Sequence, residues 1–207
     1  MNGEVKTPAL GTRQQQKQKT REALLAAARK VIAQRGLAKT TTREVAQEAR
    51  VAAGTFFVHF ADVDALVEAL LDAHIAAALA RALDTLPRRG NLVRRLLHVC
   101  TALIESYDAE PDLAREYLAA SLFRSRPGGP TEARLLEFQA WVTGQIAEAA
   151  PAVDAQVTFA MFFWTYFGCL VAGLRGQLRR KEQLGLLEAA LKRIFTAPAA
   201  GARARAR

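Results

Sequence analysis

The segment 41–60 constrains this chain more than any other, because it places two helix starts and a tight turn close together. Thr41 can cap a helix, and Glu44 follows in the first turn, where the helix dipole favours an anion. A run of small residues then permits a sharp reversal. Phe56 and Phe60, four residues apart, anchor a second short helix inward. The pattern predicts a helix-turn-helix, and an ordinary helical hairpin is the alternative.

Basic charge is concentrated in the same quarter of the chain. Residues 1–60 hold eleven Lys or Arg against four Asp or Glu, which is seven of the net nine positive charges. The remainder is nearly balanced, with eighteen against sixteen. Basic charge alone is often only a solvated surface. Its coincidence with the helix-turn-helix pattern favours nucleic acid as the partner, because neutralising phosphates supplies most non-specific affinity.

The stretch from about Lys17 to Ala77 resembles the DNA-binding domain of TetR-family transcriptional regulators. The similarity runs along Thr20–Phe60, with Gly36 after the first helix and the pair Gly54-Thr55 opening the recognition helix. It implies a ligand-responsive regulator, most commonly a repressor, that is not an enzyme. Such a protein binds a roughly palindromic operator in double-stranded DNA as a homodimer, and a cytoplasmic location is expected.

Several positions depart from the family pattern, including Ala52 and Ala53, which offer only apolar contacts at the start of the recognition helix. Arg50 replaces a turn glycine, so either the backbone avoids a positive φ there or Arg50 tolerates strain. Phe57 replaces a tyrosine and lacks the hydroxyl that would bond a phosphate, and Val63 replaces a lysine. His59 is open to two interpretations, a DNA contact or a packed side chain. The residues expected to contact DNA are Thr41, Thr42, Arg43, Ala53, Gly54, Thr55, Phe57 and His59.

The chain is expected to be all-α, with about nine helices, because apolar residues recur at helical spacing and no strand pattern is sustained. A three-helix DNA-binding domain, 13–60, is followed by a larger ligand-binding and dimerisation domain, 61–198. A disordered arm, 1–12, either contacts DNA or is a solvated tail, and 199–207 is a basic disordered tail. Proline and glycine residues commonly mark helix ends. Apart from the two helices of the helix-turn-helix, the predicted helices are 13–35, 62–86, 91–109, 112–124, 131–149, 153–180 and 182–195.

Residues 155–174 include no charged side chain and are long enough to cross a membrane. Gln156 and Thr158 interrupt the segment, and a charged surface resumes at Arg175. A helix that is apolar all round can be buried by protein on several sides. We therefore expect burial in a subunit and against a second copy, with no membrane partner.

Aromatic residues concentrate in the C-terminal part and favour a hydrophobic or aromatic effector, although aromatics at helical spacing usually form core. The three histidines and two cysteines make no metal or catalytic spacing, so no catalytic residue, metal or cofactor is expected. A helical small-molecule-binding protein or enzyme with an incidental basic segment remains the alternative. The residues expected to bind ligand are His98, Tyr107, Phe138, Trp141, Phe163, Tyr166 and Phe167.

Overall fold

A computed structural model describes residues 11–124 and 128–196. Within these ranges the chain forms nine α-helices and no strand, which confirms the all-α prediction. The proposed arm up to residue 10 and the proposed basic tail lie outside the described residues. The helices are α1 (Thr12–Arg35), α2 (Thr42–Glu48), α3 (Ala53–His59), α4 (Val63–Asp84), α5 (Leu92–Asp108), α6 (Pro111–Arg124), α7 (Pro130–Ala149), α8 (Ala155–Leu174) and α9 (Arg180–Thr196).

The chain divides into two compact units, with the boundary between Leu70 and Leu71. We call them the N-terminal unit and the C-terminal unit. The boundary falls inside α4, which contributes residues to both units. The functional division at residues 60 and 61 stays a prediction, since compactness alone does not define function.

In the N-terminal unit, α1 supplies a buried row at four-residue spacing, Leu24, Ala28 and Ile32. Val45 of α2 and Phe56 of α3 are also fully buried. Gly36 ends α1 with φ 77°, a conformation that glycine adopts without a Cβ clash. Such short helices gain their stability from this packing rather than from their own propensity.

In the C-terminal unit, α8 and α9 pack closely around Gly173. The buried Gln183 side chain of α9 lies against that glycine and donates a 2.8 Å hydrogen bond to the carbonyl oxygen of Cys169. A Cβ placed at Gly173 would lie 1.9 Å from Gln183 Nε2. The absence of a side chain at Gly173 is therefore what admits the amide into this helix pair.

The predicted end of the helix over 153–180 is wrong. α8 ends at Leu174, and Gly176 takes φ 71°, so the chain turns in the left-handed region that favours glycine. The Glu182 carboxylate then accepts a 2.7 Å hydrogen bond from the backbone N–H of Arg179 and caps the start of α9. One glycine and one capping carboxylate thus place the boundary between the two helices earlier in the chain than the predicted break between 180 and 182.

Helix α8 is long and apolar enough to cross a membrane by length and composition, with a mean hydropathy of 1.7. Phe162, Tyr166 and Leu170 bury one face of it within the C-terminal unit. The opposite face exposes Val157, Met161 and Trp164. The core helix of a globular protein passes the same test of length and composition, so the test alone does not indicate a membrane.

Candidate nucleic-acid interface and ligand cavity

The start of α2 is fixed by a capping box between Thr41 and Glu44. Thr41 Oγ1 accepts a 3.2 Å hydrogen bond from the Glu44 N–H, and Glu44 Oε2 accepts a 3.1 Å bond from the Thr41 N–H. Thr41 Oγ1 also donates to Glu44 Oε2 at 2.9 Å, and Arg35 pairs with the same carboxylate. Hydrogen bonding to Thr41 lowers the pKa of Glu44. The Thr41 hydroxyl proton is therefore already used within the protein.

The turn between α2 and α3 contains Arg50 at φ 57°. Its backbone N–H reaches the carbonyl oxygen of Gln47, and the N–H of Val51 reaches that of Ala46. Of the two possibilities left open by the sequence, the structure selects the strained one, since a non-glycine residue in this region costs about 1 kcal/mol or more. The Arg50 side chain is exposed.

The seven-residue α3 has an apolar exposed face. Phe57 is 59% exposed and Val58 is 67% exposed, and both share their face with Ala53 and Gly54. Phe56 is fully buried on the inward side. Val58 was not among the predicted contacts, although its position four residues after Gly54 gives a signal for the shared face.

Thr55 and His59, both expected to contact DNA, are half-buried on the flanks of α3. The His59 ring packs against Phe60, with ring centres 6.5 Å apart. Burial lowers the pKa of His59, and the nearby Lys17 and Arg21 lower it further. Both of the interpretations offered for His59 therefore retain a physical basis, with packing the more direct observation.

Several cations of the N-terminal unit have no ion-pair partner among the described residues, including Arg43, Arg50 and Lys39. All three are exposed. Thr42 is half-buried beside Arg43 at the start of α2. The N-terminal unit therefore combines exposed, unpaired cations with an apolar helix face. This composition suits a polyanion that presents apolar groups in a groove.

The C-terminal unit contains a separate apolar cavity of about 130 Å³. Helix α4 lines it at four-residue spacing, and aromatic rings of α7 and α8 line other parts. The lining residues are Leu71, Ile75, Leu79, Leu103, Tyr107, Leu118, Thr131, Arg134, Leu135, Phe138, Phe163, Tyr166, Phe167 and Leu170.

Arg134 is the one charged residue among the described residues that line the cavity. Its guanidinium bonds the Asp72 carboxylate through Nε and, at 3.3 Å, through Nη2. This hydrogen bonding raises the pKa of Arg134. Burial raises the pKa of both Tyr107 and Tyr166, so these phenols stay protonated at neutral pH.

The N-terminal unit is similar in sequence to known proteins. Residues 24–70 match the family described as "Bacterial regulatory proteins, tetR family". The chain is 33% identical over 96 residues to the HTH-type transcriptional regulator YvkB of Bacillus subtilis (strain 168), a match covering 46% of this chain and 49% of YvkB. The match thus spans about half the length of this curated relative. The N-terminal unit is thus similar to the DNA-binding domain of TetR-family regulators.

Solved structures extend the likeness to the fold of both units. A putative TetR-family transcriptional regulator from Rhodococcus sp. has a TM-score of 0.68 at 21% identity, covering 86% of this chain and 100% of that one. RolR in complex with resorcinol has a TM-score of 0.63 at 18% identity, covering 90% of this chain and 92% of RolR. At these identities the likeness shows a shared all-helical fold.

Of the eight residues expected to contact DNA, the N-terminal unit exposes Thr41, Arg43, Ala53, Gly54 and Phe57. The remaining three, Thr42, Thr55 and His59, are half-buried. DNA contact by any of the eight stays a prediction.

The expected ligand residues form two groups within the C-terminal unit. Five line the cavity: Tyr107, Phe138, Phe163, Tyr166 and Phe167. His98 does not, because its Nε2 lies 3.0 Å from Thr85 Oγ1 and 3.1 Å from the Ala82 carbonyl oxygen. Trp141 stacks on Phe138, with ring centres 6.1 Å apart, outside the lining. Sequence reasoning missed Arg134 and the α4 residues of the lining.

Proposed function

We propose that this protein is a transcriptional repressor that binds a roughly palindromic operator in double-stranded DNA as a homodimer and is released by a hydrophobic or aromatic small molecule. The observation that carries the proposal is the exposed apolar face of α3 within residues 1–60, the segment that holds seven of the nine net positive charges. A chain acting in this way works in the cytoplasm, where its operator is.

Two kinds of contact to DNA have different roles: one reads the bases and the other neutralises phosphates. The exposed face of α3 offers Ala53, Phe57 and Val58 to apolar base edges such as the thymine methyl group. Arg43 and Arg50 neutralise phosphates, which fixes position without reading sequence. Thr42 is a better phosphate donor than Thr41, since the Thr41 proton already bonds Glu44.

The exposed face of α8 is proposed as the homodimer surface. Val157, Met161 and Trp164 follow one another at four- and three-residue spacing and are each more than half exposed. A second copy would bury this face and separate two α3 helices by a fixed distance, as binding to two half-sites requires. Burial by a second subunit also explains why α8 is apolar all round without a membrane.

The cavity is proposed as the effector site because α4 lines it with Leu71, Ile75 and Leu79. The same helix begins at Val63, in the N-terminal unit. A ligand that prefers one placement of α4 shifts the population between DNA-competent and incompetent states by its differential affinity for them.

The decisive experiment is fluorescence anisotropy of the full-length purified protein with labelled fragments of the DNA flanking its own gene. We expect one fragment to bind at least about 1,000-fold more tightly than a shuffled sequence, with affinity that falls steeply as salt rises. Equal affinity for all fragments, or none, would favour the alternative of a helical small-molecule-binding protein or enzyme. Sedimentation velocity without detergent, giving a dimer mass, tests the α8 surface and the absence of a membrane requirement.

A further inference from the structure

We propose that the effector is a neutral molecule of about one aromatic ring bearing a hydroxyl or carbonyl oxygen, with that oxygen bound by Tyr107 and Tyr166. The inference rests on the proposed use of the cavity as the effector site and adds the chemical class of the ligand. Four observations carry it: the size of the cavity, two buried tyrosines that line it, the pairing of its one charged side chain and a run of stacked rings.

The size of the cavity sets the scale of the ligand. Its volume is about 130 Å³. For comparison, an apolar protein cavity of roughly 150 Å³ accommodates benzene. A single substituted ring therefore fills this space, whereas a long acyl chain or a fused polycyclic molecule exceeds it unless the helices move apart.

Two tyrosines supply the polar end of the proposed binding site. Tyr107 is 2% exposed and Tyr166 is 7% exposed, and both line the cavity. In the described part of the chain neither hydroxyl oxygen is among the fully buried side-chain atoms that lack a partner, although both side chains are buried. Because a hydroxyl group shielded from bulk water gains from a hydrogen bond, we infer that both open onto the cavity and bond a ligand oxygen there. A hydroxyl or carbonyl oxygen has two lone pairs and can accept a hydrogen bond from each tyrosine.

The charges around the cavity exclude an ionic ligand. Arg134 is held by both oxygens of Asp72 and lies near Glu137, at 3.9 Å, so a ligand carboxylate would have to displace an existing partner. No described carboxylate lines the cavity to receive a cation. Burying an unpaired charge in such surroundings costs far more than a hydrogen bond returns.

The aromatic rings of α8 indicate that the ligand is flat. Phe163 and Phe167 are stacked with an interplanar angle of 15° and centres 6.1 Å apart, and both line the cavity. Phe159 continues the same run with its ring stacked on that of Phe163. Parallel rings at helical spacing offer a planar surface, which suits an aromatic ring better than a branched alkyl group.

The test is isothermal titration calorimetry of the full-length protein with four probes: phenol, toluene, benzoate and 1-decanol. We expect phenol to bind about tenfold more tightly than toluene, because toluene leaves both hydroxyls unsatisfied. Benzoate and decanol should bind more weakly than either, for reasons of charge and size. Decanol or benzoate as the tightest ligand would overturn the assignment.

Substitution of the tyrosines locates the oxygen. Tyr107→Phe and Tyr166→Phe should each weaken phenol binding several-fold and leave toluene binding unchanged. Tyr117→Phe is the matched control, since Tyr117 is equally buried but does not line the cavity. Unchanged phenol affinity in both cavity variants, or an equal loss in the control, would contradict the proposal.

Failure of this assignment and failure of the proposed function are distinguishable. If the unliganded protein binds its operator but phenol does not bind, the regulator stands and the ligand class is wrong. If phenol binds with the expected tyrosine dependence and no operator is found, the cavity chemistry stands and the DNA-binding function is wrong.

Discussion

Two exposed apolar faces, one on α3 and one on α8, differ in what surrounds them. The α3 face, with Phe57 and Val58, belongs to a unit rich in uncompensated cations such as Arg43 and Arg50. The α8 face, with Trp164 at its centre, lies on a helix with no charged residue between Ala155 and Leu174. An exposed phenylalanine and an exposed tryptophan therefore indicate different partners: a charged polymer with apolar base edges for α3, and another apolar protein surface for α8.

The substitution Trp164→Glu tests whether the α8 face binds another apolar protein surface. A buried charge at the centre of a subunit interface should raise the dimer dissociation constant at least about 30-fold, since central tryptophans commonly contribute 2 kcal/mol or more. Analytical ultracentrifugation measures this constant, and operator affinity should fall with it.

Leu83→Glu is the control for that substitution, because Leu83 is also an exposed apolar residue but lies on α4. A dimer that is equally stable in Trp164→Glu and the wild type would remove α8 from the interface.

A second substitution separates packing within a subunit from packing between subunits. Gly173→Ala places a Cβ against the Gln183 amide and should lower the free energy of unfolding by about 1–3 kcal/mol, as overpacking does. Urea denaturation checks this value.

Gly168→Ala, on the same helix, is its matched partner. A Cβ at Gly168 meets nothing within 4 Å in the monomer, and the residue is exposed four positions after Trp164. We expect no loss of subunit stability but a weaker dimer. A destabilised subunit in this variant would contradict the packing described for α8.

On the α3 side, Arg43→Ala should weaken binding to operator and shuffled DNA alike by about tenfold, and reduce the slope of log affinity against log salt by about one. Arg81→Ala on α4 removes the same charge from an exposed position outside the N-terminal unit. If both variants lose equal affinity, net charge rather than a local phosphate contact is responsible.

Gly54→Ala tests the α3 face with a smaller change. No atom lies within 4 Å of a Cβ at this position, so we expect the fold to be kept and stabilised by about 0.5 kcal/mol through helix propensity. The added methyl group should nevertheless weaken operator binding more than binding to shuffled DNA. Unchanged discrimination would mean that α3 does not approach the bases here.

The smallest expected effect concerns pH. Because burial and nearby cations lower the pKa of His59 below its ordinary 6.5, the unfolded chain takes up this proton first as pH falls. The contribution of His59 to stability is thus present above 6.5 and lost as pH falls through the lower, folded value. His59→Gln should show a shallower decline in thermal stability over this range than the wild type, and parallel declines would contradict the shift.

The sequence predicted helix ends correctly where a residue beside the end determines it. Gly36 ended α1 at the expected Arg35, and Thr41 with Glu44 predicted the start of α2. The break after Leu174 was missed because charged residues on both sides of Gly176 are compatible with a helix. Tertiary packing decided the rest: Thr55 and His59 are partly covered, and His98 turns toward Thr85, because the orientation of each helix depends on distant neighbours.

Helix α3 carries no Lys, Arg, Asp or Glu. Under the proposed function, the side chains that set operator preference are then different from those that set the strength of attraction to DNA. Mutations on α3 can redirect the protein to a new operator while its hold on phosphates persists, and changes at Arg43 or Arg50 can tune occupancy without altering the target. After a gene duplication, the two copies are therefore free to diverge in target and in repression strength independently.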